Sequence, residues 1–142
     1  MEFDLERFIK AQKEYYDIAL EEIRNGEKRS HWMWFIFPQI KGLGETDISI
    51  YYAIENLEEA KAYLKNEYLS HNLIEITNAI LEVNDKTAVE ILGFPDYYKL
   101  RSSMTLFYLA STNGLFKKVI DKYYNGELGD LTMNILEEKG DI

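Results

Sequence analysis

Leu5, Phe8, Ile9, Gln12, Tyr15, Tyr16, Ala19 and Ile23 recur at three- and four-residue spacing, and Asn25-Gly26 follows them as a stop. That is the pattern of one amphipathic helix and its C-terminal signal. Ser30 is placed to cap a short helix ended by Pro38-Gln39, although the six bulky residues 32–37 suit a buried strand equally well on periodicity alone; a helix is the expectation adopted. Gly42 and Gly44 mark a loop, with Thr46 or Asp47 as the cap of a segment through Ala53. Asn56 precedes Leu57, Ala60, Tyr63 and Leu64, and a second periodic set follows at Leu69, Leu73, Ile76, Thr77, Ile80 and Leu81, giving two helices. Residues 87–92 read as a short helical turn closed by Gly93, and Pro95 with Asp96 opens a long helix carrying Leu100, Met104, Phe107 and Tyr108. Segments 115–124 and 130–136, separated by Asn125-Gly126, complete an all-α pattern of seven to nine helices. No repeat, low-complexity tract or linker divides it, so a single domain over 1–142 is expected.

The length of 142 residues supports one domain with a proper core, burying roughly 68–70% of its unfolded surface. A net charge of −9 works against nucleic-acid backbones and anionic membranes as partners. There is no cysteine, which excludes disulfides, a thiolate nucleophile and a Cys-based zinc site. The acidic start, Met1-Glu2-Phe3-Asp4, lacks the basic and apolar regions of a signal peptide, so a cytoplasmic location is expected. The longest apolar run, residues 32–37, is far below the roughly 20 residues that cross a bilayer.

Candidate chemistry concentrates in residues 30–39, SHWMWFIFPQ, which place both tryptophans beside a histidine and a terminal amide. Each buried aromatic removes roughly 150–250 Å² from water, yet each indole N–H still needs an acceptor. The run is either a demanding piece of core or the wall of a pocket. A helix starting here would gather Lys28, Arg29, Ser30, His31 and free backbone N–H groups into a seat for phosphate or carboxylate; the alternative is a solvated connector with a capping serine. Trp34, one turn on, is placed to stack on a planar ligand. Gln39 lies eight residues from His31, roughly 12 Å along a helix axis, so the two would line a groove without bonding directly. Gln12 interrupts the apolar stripe of the first helix and reads as a polar member of a pocket wall, or as a boundary residue. On the long helix Asp96, Lys99 and Ser103 share one face, as an ion pair with a back-bonded hydroxyl or as pocket residues.

Familiar catalytic templates fail. The chain has no Gly-x-Ser-x-Gly, phosphate-binding loop or dinucleotide fingerprint, and His31 and His71 form no zinc pattern. No metal site is expected and no cofactor is indicated. Among titratable groups His31 alone has the neighbours of a general acid or base.

The same segments resemble one family, the bacterial domain-of-unknown-function family 1810, some members of which carry the label "calpastatin". The resemblance runs through Phe8 and Ala11-Gln12, Arg29 to Gln39, Gly42-Leu43-Gly44, Tyr52-Ala53-Ile54, Glu59-Ala60, Ala62-Tyr63-Leu64 and Asp96 to Phe107, with SHWMWFIFPQ and KLRSSMTLF as its specific motifs. It implies a mainly helical single domain and resolves residues 32–37 as helix. It implies no activity, and no catalytic residue is carried over. Two departures stand out: Asn72 where family sequences often have an arginine, which would weaken an anion site built on that arginine, and Thr46 near a usual serine. Protease inhibition fits poorly, because such inhibitors resemble extended Pro/Ser-rich chains.

The reading that emerges is a cytoplasmic helical domain binding a small anionic or nucleotide-like metabolite. Gln12, Arg29, Ser30, His31, Trp34, Gln39, Lys99 and Ser103 are the candidate binding residues, and hydrolase or transferase chemistry through His31 is a subordinate version. The alternative is a protein-interaction module with an aromatic surface patch and no catalysis.

Overall fold

The computed structural model describes residues 3–111 and 113–142, so the first two residues of the acidic start lie outside it. Among the described residues nine helices follow one another: α1 (Glu6–Arg24), α2 (Met33–Ile36), α3 (Asp47–Tyr51), α4 (Leu57–Lys65), α5 (Glu67–Leu81), α6 (Ala88–Leu92), α7 (Asp96–Ser111), α8 (Gly114–Tyr124) and α9 (Asp130–Glu138). No helix is long and apolar enough to cross a membrane among the described residues. The starts obey the capping chemistry expected of them: Thr46, Asn56, Asn66 and Asn113 each accept a backbone N–H, and Thr87 with Glu90 forms a complete capping box. Of the two candidates for α3, Thr46 is the cap and Asp47 the first helical residue.

α7 is the central helix, packed against α4, α6, α8 and α9, while α1 packs on α5 and α2. A relay of rings threads the core from α1 to α8: Phe8 meets Tyr63 edge-on at 5.2 Å, Tyr63 meets Phe107 at 5.1 Å, and Phe107 meets Phe116 at 6.0 Å. Rings at such offset and tilted geometries add to the area term of burial. At the bottom of this layer Gln12 is surrounded by protein. Its Nε2 donates to Phe35 O at 2.8 Å and to the Tyr63 hydroxyl at 2.9 Å, and its Oε1 accepts from Asn72 Nδ2 at 3.0 Å.

Residues 32–37 do form helix, but only over the four residues of α2, with Trp32 and Phe37 flanking it and no side-chain cap at its start. The expected Ser30 cap is therefore corrected. Ser30 Oγ instead donates to Glu22 on α1, at 2.6 Å. The chain then loops round to run parallel to itself in a clasp too short to be a strand: Ile54 N–H donates to Gln39 O and Lys41 N–H donates to Ile54 O, both at 2.8 Å. This clasp fixes Gln39 at the mouth of the loop that carries α3.

A candidate ligand cleft beside Trp34

The two tryptophans of the motif do different things. Trp32 is fully buried and its indole Nε1 donates to Glu22 at 2.9 Å. Trp34 is only partly buried, and three adjoining hollows share it as a wall.

The widest apolar one is an open cleft of about 180 Å³, walled by Trp34, Leu43, Pro95, Tyr98 and Leu131, with Gln39, Lys99 and Ser102 as its polar members. Two contacts position parts of this wall. α9 is tied to α7 where Gly129 N–H donates to Thr105 Oγ1 at 2.9 Å, which brings Leu131 to the rim. Gly44 lies so close to Ser49 that a Cβ there would stand 2.6 Å from its side chain, and 3.5 Å from the Trp34 ring. Glycine is what lets this loop close against Ser49 of α3, beside the indole.

A second hollow, of about 70 Å³, lies across Lys99 and is lined by Lys28, His31, Trp32, Met33, Trp34 and Asp96. Here Asp96 bridges two lysines, with Oδ2 at 2.9 Å from Lys28 Nζ and Oδ1 at 2.9 Å from Lys99 Nζ. Each lysine also faces one ring of the motif: Lys28 Nζ is 5.2 Å from the Trp32 centroid and Lys99 Nζ 4.0 Å from that of Trp34, within cation–π range. Burial pushes the Asp96 carboxyl upward, but the hydrogen bonds and charges of Lys28 and Lys99 outweigh it and hold it below the usual carboxylate range. The third hollow, between Trp34, Gln39 and residues 40–44, measures about 10 Å³. That is the size of one water at most, so the open cleft is the roomiest of the three.

Gln39 is the unusual member. Its residue is 7% exposed, its Nε2 is buried, and that nitrogen has no hydrogen-bond partner. An unpaired buried amide costs about 1–3 kcal/mol in protein contexts. Ser103 Oγ on α7 and Thr132 Oγ1 on α9, helices that bound the cleft, share this property, as does Thr77 Oγ1 on α5, which does not line it.

Of the residues singled out in the sequence, the structure gathers Trp34, Gln39 and Lys99 around the cleft, and His31 on the adjoining hollow. Ser103 is buried behind it, and its chain neighbour Ser102 lines the wall. Gln12 stands apart, its polar atoms given to Phe35, Tyr63 and Asn72. Asn72, where an anion-binding arginine was in question, is thereby part of the core network.

Arg29 and Ser30 are turned elsewhere too. An anion seat does exist at this turn, but the chain's own Glu22 fills it, accepting from Arg29 N at 2.7 Å, Ser30 N at 2.9 Å, Ser30 Oγ and Trp32 Nε1. Burial opposes the charge on Glu22, and these donors outweigh it, lowering its pKa to about 2. Glu22 is the neighbour that sequence reasoning leaves without a role, whereas the Asp96–Lys99 ion pair expected from their spacing is present. Glu22 gave no local signal, because its partners lie seven to ten residues away across a turn. Among the described residues no group of three or more His, Asp or Glu is placed to hold a metal ion.

The architecture of the described residues is thus an all-α domain with an aromatic-walled cleft at the junction of α2, α7 and α9. The chain belongs to the family described as "Protein of unknown function (DUF1810)", whose model matches residues 2–136. It is also similar to the conserved hypothetical protein Rv1873 from Mycobacterium tuberculosis, whose crystal structure matches with a TM-score of 0.93 at 45% identity, covering 95% of this chain and 97% of that one. No curated protein matches the chain. Neither description states an activity, so function rests on the site itself.

Proposed function

We propose that this is a cytoplasmic ligand-binding domain whose ligand, small and anionic or nucleotide-like, lies in the cleft against Trp34, Gln39 and Lys99. The observation that carries this reading is the Gln39 amide. A buried donor with no protein partner, in a residue that lines an open cleft, is an arrangement a ligand's acceptor atom completes when it displaces the groups covering that donor. Cleft size bounds the ligand: about 180 Å³ is below the roughly 300–1,000 Å³ of ordinary small-molecule sites, so the occupant is a compact molecule or the end of a larger one. Turnover is a subordinate possibility, since His31 is exposed beside Lys28, Asp96 and Lys99 with room for a reacting group between them.

A thermal-shift panel of nucleobases, nucleosides, nucleotides, sugar phosphates and small carboxylates tests the reading. A ligand at a hundred times its Kd stabilises the fold by about 2.7 kcal/mol. Failure of every compound to stabilise the protein counts against it. One observation favours a second reading: Phe94 is 75% and Leu131 67% exposed at or beside the rim, with Tyr98 between. Exposed apolar surface of this kind also suits a protein partner, and a silent panel moves the weight there.

A further inference from the structure

The Lys28–Asp96–Lys99 cluster is the one place, among the ion pairs of the described residues, where a single carboxylate is shared by two cations. Its geometry is divided evenly, one carboxylate oxygen to each ammonium at 2.9 Å. Two positive charges and one negative leave the cluster one positive charge in excess, in a chain whose net charge is −9. Lys28 cannot spill that charge into solvent, because its side chain is only 7% exposed. Glu22 forms no ion pair with either lysine, its carboxylate accepting instead from Arg29 N, Ser30 and the Trp32 indole. The cluster opens on the hollow shared by Trp34 and Lys99, next to the cleft with the unpaired Gln39 amide.

We infer that Asp96 sets the charge of the ligand: with Asp96 in place the site takes a flat molecule bearing a singly charged oxyanion, and it disfavours a doubly charged one. This deepens the cleft-binding reading and rests on it. The charge balance decides the sign. One incoming negative charge brings the local sum to zero, whereas a dianion doubles both the attraction to the lysines and the repulsion from Asp96 while its desolvation, which rises with the square of the charge, grows about fourfold. Like charges a few ångströms apart in a partly buried site are screened far less than in bulk water. Lys99 is the pivot, touching both Asp96 and the Trp34 face. The single charge can come from a carboxylate or from a phosphodiester, whose shared chemistry is a monoanionic pair of acceptor oxygens.

Four phenyl probes of similar size separate the possibilities: phenol, benzoate, methyl phenyl phosphate and phenyl phosphate, which carry charges of zero, −1, −1 and −2 at pH 8. The readout is the pair of indole N–H signals in 15N-labelled protein, in which the Trp34 signal moves on titration and that of Trp32, bonded to Glu22, stays. In the wild-type protein the two monoanions are expected to bind roughly tenfold tighter than phenol and phenyl phosphate, a difference of about 1.4 kcal/mol. Benzoate ahead of methyl phenyl phosphate identifies a carboxylate ligand, and the reverse a phosphodiester. In Asp96→Asn the order reverses and phenyl phosphate becomes the tightest probe. Lys99→Gln is the second variant, and it erases the advantage of the monoanions over phenol. Probes that bind with the same order in wild type and Asp96→Asn overturn the inference and leave the cleft reading standing. A Trp34 signal that no probe moves in any of the three proteins overturns both.

Discussion

Gln12 and Gln39 are both buried amides, 2% and 7% exposed, one interrupting the apolar stripe of α1 and the other closing the apolar run 32–37 after Pro38. Gln12 sits in a closed network: three hydrogen bonds of 2.8–3.0 Å tie it to Phe35, Tyr63 and Asn72, and Tyr16 extends the network to Asn72 O and Glu75. Gln39 has its main chain clasped by Ile54 and its amide nitrogen left without a partner. A polar side chain in an apolar run announces that a partner is needed, and only the three-dimensional surroundings say whether the protein supplies it. Where the protein does, the amide is architecture. Where it does not, and a cleft opens beside it, the amide is a recognition group.

The largest expected effect is on the closed side of this comparison. Gln12→Leu strands the Asn72 amide, the Tyr63 hydroxyl and the Phe35 carbonyl together, so urea denaturation is expected to show a loss of about 2–4 kcal/mol. A loss under about 1 kcal/mol would mean that Gln12 is not integral to the core. The tryptophans give the next contrast. Trp32→Phe removes buried volume and the indole bond to Glu22 and is expected to cost about 2–3 kcal/mol, against about 1 kcal/mol or less for the partly exposed Trp34→Phe. The same denaturation curves check both, and equal costs would erase the distinction between core and cleft wall.

Glu22→Gln follows, with an expected cost of about 1–2 kcal/mol at pH 7 after allowing for solvent screening. The folded pKa of about 2 lies below the ordinary 4.5. The stability Glu22 contributes is therefore fully present above about pH 4.5 and is lost as the pH falls toward 2. The gap between wild type and variant should close over that window and stay constant above it. A gap that widens on acidification would contradict the four-donor seat.

Much of the architecture could be read from the chain because it depends on local chemistry. The 3–4 periodicity of Leu5 to Ile23, the Asn and Thr caps, and Gly93 after Leu92 each act within one helical turn, and each marks an observed boundary. Ser30 was misplaced for the same reason in reverse. It has the chemistry of a cap, but Glu22 eight residues earlier offers its hydroxyl and backbone a charged acceptor, and no local rule weighs that competition. The cleft was partly visible. Trp34, Gln39 and Lys99 were marked by residue type, whereas Leu43, Tyr98 and Leu131 are ordinary residues that only the docking of α7 and α9 brings to the same opening. Gln12 was drawn into the site because sequence shows that an amide is out of place without showing that Asn72, sixty residues away, completes it.

The smallest expected change in stability belongs to Gln39, and it is the most direct test of the account: denaturation of Gln39→Leu, paired with titration of the ligand that stabilises the wild type. With no protein partner to lose, the variant is expected to be as stable as wild type within about 0.5 kcal/mol, or more stable, while its response to the ligand disappears. A variant destabilised by more than about 1 kcal/mol, or one that still responds fully to the ligand, would contradict the assignment of this amide as the recognition group of the cleft.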